Sequence, residues 1–395
     1  GMFYVGKHLT LANGLFGALS DNDAELADAW IREIAKDVHL FGPGLNCYHQ
    51  LALVRLALLD NDGERAATHQ PKMLTLAIEA GWPLVEAVAR LISGVVLEKY
   101  HDQAAAREQI ECALEIAGTM KSPYVEFMAR KTESYICFNS GEEEKALDSL
   151  RIAMELGRKG GFVNSQLWHP DIMAQLCVKA LEAGIEVDYV RMLIRKRNLV
   201  PDEPPVEIEA WPWPVKIYTL GQFQVLKDDQ PLSFSHKVQR KPLALLKAIV
   251  AYGGSNVRED LLVDSLWPDA DGDAARFALT SAIHRLRKLL GHEQAIIRKD
   301  NEISLDDRYC WVDTWALERL LARCETAWAG EEESWHKATG LVQRAAALYR
   351  GPFLGSDPEA PWGVSLADRL RRRLLRQLKL TGQRLEEKEQ LKQGV

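Results

Sequence analysis

The sequence predicts a mainly α protein: an α-solenoid first, then a small α+β domain, then a closing helical segment. Three observations carry this reading. Acids recur at Asp23, Asp62, Asp102 and Glu142, 39, 40 and 40 residues apart, and each opens a helical pattern. The hydrophobic period changes from 3.6 to 2 at Val215 and returns to 3.6 near Gln239. Between the two regimes stands a stretch dense in Pro and Trp, Val200-Pro201-Asp202-Glu203-Pro204-Pro205 followed by Trp211-Pro212-Trp213-Pro214.

Within 1–200, each recurring acid precedes a helix with small residues inside, such as Ala104-Ala105-Ala106 and Lys145-Ala146-Leu147. An acid suits the exposed amides and the positive dipole end of a helix start. Gly81, Gly118 and Gly157 stand where three of these helices close, a C-cap signal. Before each opening lies a more apolar helix: Leu51–Leu59, Val88–Leu97 and Phe127–Phe138. One helix pair per 40 residues reads as a solenoid with a concave surface, which takes peptides, proteins or a small effector. A non-repetitive helical bundle is the other reading of the same pattern. The region resembles tetratricopeptide-type repeats in the longer form of MalT-like multidomain regulators. It ends in a basic helix, Val187–Leu199, readable as a solvated cap or as a second nucleic-acid contact. Residues 201–214 are expected as a semi-rigid linker, because proline at this density forbids helix.

Composition narrows the function classes. The chain has 395 residues, 47% hydrophobic and 27% charged, which excludes disorder as its main state. The best apolar run, Leu51–Leu59, is interrupted by Arg55, so no membrane span is expected. No cationic region followed by an apolar stretch opens the chain, and a cytoplasmic location is expected. The six cysteines form no Cys-x-x-Cys pair and read as core thiols. Net charge is −7, but unevenly spread: residues 1–200 carry −6, 201–214 carry −4, 215–310 carry +1 and 311–395 carry +2. Any nucleic-acid surface is therefore a local patch. No phosphate loop, His-Glu-x-x-His, Gly-x-Ser-x-Gly or clustered His/Cys set is present. No enzyme, cofactor or metal is expected.

Residues 215–310 read as a domain of their own. Val215, Ile217 and Thr219 alternate with Lys216, Tyr218 and Leu220, and Asp228-Asp229-Gln230-Pro231 turns the chain toward Leu232 and Phe234. Three helices follow, over 239–252, 258–266 and 274–290, then a hairpin around Lys299-Asp300-Asn301. Sheet, three helices and hairpin is the order of a winged helix. In the third helix Leu279, Ile283, Leu286 and Leu290 fall in one stripe at 100° per residue, the side to be buried. Phe277, Ser281, His284, Arg285 and Lys288 lie opposite, with Thr280 and Arg287 at the margins. From 274 to 292 there are four bases and no acid. Such a face suits the major groove: phosphates flank it, and arginine pairs bidentately with guanine. An ordinary solvated cationic helix has the same composition.

Leu220-Gly221-Gln222-Phe223, Trp267 closing the second helix, and Ile283-His284-Arg285-Leu286-Arg287-Lys288-Leu289-Leu290 resemble the OmpR-type winged helix, and most of all its variant in SARP/AfsR-type bacterial regulators. The resemblance implies base contact by Arg285, and His284, Arg287 and Lys288 on the same helix are expected to meet phosphate. Phe277 would touch a thymine methyl or pack on the wing. Lys299 and Asn301 stand at the wing tip, where Asn301-Glu302-Ile303 replaces the usual Gly-Tyr. Residues 311–395, with Leu348-Tyr349-Arg350-Gly351-Pro352-Phe353-Leu354 and Trp362, are similar to the start of the bacterial transcriptional activation domain. That domain normally continues for several more helices, so either a longer protein or one with only the first half of the domain is expected. Such regulators often carry an ATPase domain upstream, in which case this chain is the C-terminal part of a larger protein. The implied partners are double-stranded DNA, as direct repeats, and RNA polymerase or another protein. The rival function is an interaction scaffold whose winged helix binds protein instead of DNA.

Overall fold

The computed structural model describes residues 2–21, 23–40, 42–99, 102–201, 203–232, 240–330, 332–355 and 361–393. Phe234 and Gln239, expected in a strand and at a helix start, lie outside them. The chain divides into two compact units, 1–202 and 203–395.

The first unit holds ten helices among its described residues: α1 (Met2–Ser20), α2 (Ala24–Ala35), α3 (Pro43–Leu59), α4 (Gly63–Ala80), α5 (Pro83–Lys99), α6 (Gln103–Met120), α7 (Pro123–Asn139), α8 (Glu143–Gly160), α9 (Pro170–Glu182) and α10 (Val187–Arg197). It is a solenoid of helix pairs: α3 packs with α4, α5 with α6, α7 with α8, and α3 also touches α5, which touches α7. That inner row explains why the apolar helices are apolar on nearly every side. Asp23, Asp62 and Asp102 accept from the amides of Leu26, Arg65 and Ala105 at 2.9–3.0 Å, capping α2, α4 and α6. Glu142 makes no such bond and pairs with Arg107 instead. Ala27, Ala66, Ala106 and Ala146 are fully buried at the same period, where a larger side chain would push paired helices apart.

Two expected closures differ. Gly81 does cap α4 in the left-handed region, at φ 64°. Helix α6 runs past Gly118 to Met120, with Lys121 at φ 49° as its cap, and α8 runs past Gly157 to Gly160. Gly157 serves packing: a Cβ there would lie 2.2 Å from the Tyr189 hydroxyl. A further period-40 signal, Pro43, Pro83 and Pro123, marks the first residue of each inner helix, where proline's missing N–H costs nothing.

The second unit has two sheets and six helices among its described residues: β1 (Val215–Tyr218), β2 (Gln224–Lys227), β3 (Gln230–Pro231), α11 (Arg240–Ala251), β4 (Val257–Arg258), α12 (Glu259–Leu266), α13 (Gly272–Leu290), β5 (Ile296–Lys299), β6 (Glu302–Leu305), β7 (Cys310–Val312), α14 (Asp313–Ala329), α15 (Glu332–Leu348) and α16 (Val364–Gln393). The first sheet has the order β3-β2-β1-β7, with β1 antiparallel to β2 and parallel to β7; the wing sheet has the order β4-β6-β5. This is a winged-helix core, with closing helices packed onto it.

The parallel partner β7 is not anticipated by the alternating pattern. It changes β1, all four residues of which are buried, Lys216 included. Lys216 Nζ is satisfied by Asp229 Oδ1 at 2.9 Å. The segment expected as a linker is also packed. Trp211 and Trp213 are buried, Trp213 Nε1 donates to the Ile208 carbonyl at 3.0 Å, and Trp311 Nε1 donates to that of Val206 at 2.7 Å. One hydrophobic core runs from Val215 through Leu286 and Cys310 to Leu374, across the boundary expected after residue 310.

Two sequence motifs meet at one joint. The Gly221 amide donates to the Pro352 carbonyl at 3.0 Å, and the Leu354 amide to that of Thr219 at 2.8 Å. Asp313, at the start of α14, accepts from the Thr219 amide and hydroxyl, both at 2.6 Å, and from the Leu220 amide at 2.7 Å. Leu-Gly-Gln-Phe and Gly-Pro-Phe-Leu are thus halves of one contact.

Candidate nucleic-acid interface

Helix α13 is built to present one side. Asp271 accepts from the Gly272 amide at its start, and Gly291, at φ 74°, closes it. Ala275, Leu279, Ala282, Ile283, Leu286 and Leu290 are buried in the core, as the stripe predicts. Arg276, Phe277, Thr280, His284, Arg285 and Lys288 are exposed, while Ser281 is half-buried. The side chains of Arg276, His284, Arg285 and Lys288 make no intramolecular hydrogen bond or ion pair among the described residues. Asp269, Asp271 and Asp273 are exposed at the N-terminal end of the helix, so the cationic stretch runs from Arg276 to Lys288.

The other expected site residues divide by their bonds. Arg287 is half-buried, and its Nη2 donates to the Ile296 carbonyl at 2.8 Å, tying α13 to β5. Its guanidinium is engaged within the protein, unlike those of Arg276 and Arg285. Thr280 donates to the Arg276 carbonyl at 3.0 Å and accepts from Arg298 Nη1 at 3.1 Å. Its hydroxyl therefore works at the seam between helix and wing. Phe277 is 78% exposed, and the wing does not cover it.

Lys299 and Asn301 sit at the β5–β6 turn, both exposed. Asp300 and Asn301 take φ 52° and 61°, a left-handed pair that Asn and Asp tolerate in tight hairpins. The Asn301 carbonyl accepts from the Glu259 amide at 2.9 Å, and Lys299 Nζ stands 3.9 Å from Asp300. On its other side the wing borders an open cleft of about 1080 Å³ lined by Glu203, Asp300, Glu302, Asp306, Asp307 and Glu318, with Arg308, Arg319 and Lys299 among its bases. An acid-rich wall is a poor surface for phosphate.

Two residues escape the sequence reading. Arg276 is exposed, although at 100° per residue it falls at the margin of the buried stripe, about half a turn round the helix from Arg285, so helical spacing does not group it with the cationic side. Arg298 is the pin of the wing: its guanidinium holds both carboxylate oxygens of Glu259, with Nη2 at 2.8 Å, as well as Thr280. Nothing in the local sequence signals it, because its partners are 39 and 18 residues away.

No protein-family model matches the chain, and no curated protein does. Among solved structures, one similar chain is Mycobacterium tuberculosis EmbR in complex with a low affinity phosphopeptide: 22% identity, 42% of this chain, 44% of that one, TM-score 0.35. This chain thus spans less than half of EmbR. Another is the apo form of RapI: 11% identity, 94% of this chain, 99% of that one, TM-score 0.36. At these TM-scores neither likeness carries an argument. No helix of the described residues is long and apolar enough to cross a membrane, and no group of three or more His, Cys, Asp or Glu among them is placed to hold a metal ion.

Proposed function

We propose that the chain is a DNA-binding transcriptional regulator, an activator of the SARP type, whose helix α13 reads the major groove. The observation that carries this reading is the exposed, unpaired set His284, Arg285 and Lys288 on the side of α13 opposite its buried stripe, with exposed, unpaired Arg276 at the stripe's margin. An unpaired cationic row adds nothing to the stability of the fold, since like charges three and four apart on a helix repel, and phosphates on both sides of a groove are its natural counter-charge. Arg285 is assigned to bases, and His284, Lys288 and Arg276 to phosphates. Phe277 is assigned to a thymine methyl, since most of its ring is exposed. Arg287 and Thr280 keep supporting roles, and Ser281, Lys299 and Asn301 lie at the edges of the contact. The solenoid would take an effector, and the closing helices RNA polymerase or another protein.

The test is selection by the full chain from a random duplex pool. The reading expects a motif to emerge as tandem half-sites about one helical turn apart. An interaction scaffold that binds protein through its winged helix would enrich no motif.

A further inference from the structure

The inner row of the solenoid buries two cations with no acid to balance them. Arg55 on α3 is 7% exposed and Lys131 on α7 is 2% exposed. Arg55 donates from Nη1 to the Gln166 carbonyl at 2.8 Å and from Nη2 to the Trp168 carbonyl at 2.7 Å. Lys131 Nζ donates to Ser165 Oγ at 3.1 Å and to the Leu167 carbonyl at 3.2 Å. It also lies 5.7 Å from the centre of the Phe127 ring and 5.9 Å from that of Trp168. Neither cation meets a carboxylate within ion-pair distance among the described residues. Removing a cation from water is unfavourable, and a nearby anion is what offsets it best. Burial accordingly pushes Lys131 down to about 7 and Arg55 down to about 10.

Both cations line one cavity of about 50 Å³. Trp168 and His169 complete its polar end, and Leu59, Leu91, Ile92 and Val95 form an apolar wall. At roughly 10–15 Å³ per water, that is room for about three to five, the size of one carboxylate or phosphate group. Lys131 has one N–H left after its two bonds, and Arg55 has three. We propose that this cavity binds a small oxyanion, a carboxylate or phosphate group, clasped between the Arg55 guanidinium and the Lys131 ammonium. The half-buried Leu59, Val95, His169 and Ile172 form the rim through which it enters. The proposal concerns the first unit alone, so its failure leaves the DNA-binding reading untouched.

The experiment is calorimetry of the full chain at pH 6.5 and constant ionic strength, titrating sodium acetate, inorganic phosphate or neutral acetamide. Acetate or phosphate should bind saturably, the better of the two identifying the headgroup, and acetamide should not. Lys131→Met should weaken that binding at least tenfold, while Lys131→Arg, which keeps the charge, should hold it within a few-fold. A third reading needs no variant. At pH 7.5 binding should draw a proton from the buffer, seen as a heat that depends on buffer ionisation enthalpy. The titratable groups around Lys131 are Arg55 on α3, Tyr135 on α7, His169, and Cys177 on α9; Glu98 on α5 acts on Tyr135. Burial lowers His169 to about 4 and lifts Cys177 to about 12, which leaves Lys131 to change charge near neutrality. No saturable binding of either anion, equal binding by Lys131→Met, or no proton uptake would overturn the proposal.

Discussion

Arg285 and Arg287 are two residues apart on one helix, yet they do different things. Arg285 is exposed and unpaired, whereas Arg287 holds the Ile296 carbonyl. Arg285→Ala should cost about 1–3 kcal/mol on the selected site and little on random duplex. Equal losses on both DNAs would remove it from base readout. Arg287→Ala should instead lower the stability of the second unit by about 1.5–3 kcal/mol, the range for a hydrogen bond to a charged group, with the salt dependence of DNA binding unchanged. Denaturant titration of the variant separates the two effects. Helical periodicity alone distinguishes the buried stripe from the cationic side, because both follow from 100° per residue. It does not reveal that Arg287 reaches a carbonyl nine residues on, since that depends on where the chain returns after Gly291.

At the scale of elements, helices were the most legible part. The acids that cap α2, α4 and α6 stand at positions a sequence can show, because a cap is a local bond. The strand β7 was not legible: three residues carry no period, and their partner β1 lies 95 positions earlier in the chain. The joint between Gly221 and the Arg350–Leu354 stretch was hidden for the same reason, although both motifs were visible separately. Gly221 has φ 93°, and a Cβ there would meet the Arg350 carbonyl at 3.2 Å. Gly221→Ala should destabilise the second unit by roughly 1–3 kcal/mol, the usual cost of a backbone strained at one position. A melting transition as stable as that of the unchanged chain would show that the joint yields easily.

At the scale of the whole molecule, two units replace the separate pieces expected from the sequence. Proline and tryptophan density suggests a linker over 201–214, but Trp211 and Trp213 are buried and the Trp311 indole holds the Val206 carbonyl, so residues 203–214 are part of the second unit, and buried indoles are not visible in composition. Fragment 203–395 should therefore fold alone and keep DNA binding. Fragment 215–310 should not fold, because it lacks β7 beyond Cys310 and the helices that finish its core. Circular dichroism of the two fragments checks this. The first unit should show its own pH dependence. Lys131 titrates near 7 when folded and near 10.4 when unfolded, so between those values the unfolded chain holds a proton the folded one has lost. Stability contributed by this group therefore rises with pH from about 7 to about 10, and Lys131→Met should flatten that rise.

The claim at the centre is that α13 meets duplex DNA through its cationic side, and the salt dependence of binding tests it most directly. Fluorescence anisotropy of the full chain on duplex DNA, across a range of salt concentrations, gives log K against log salt. Each phosphate contact contributes about −0.9 to the slope. The account predicts a steep negative slope for the unchanged chain and one shallower by about one unit for Lys288→Ala, with weaker binding on every sequence. No binding at low salt, or a slope that Lys288→Ala leaves unchanged, would contradict it.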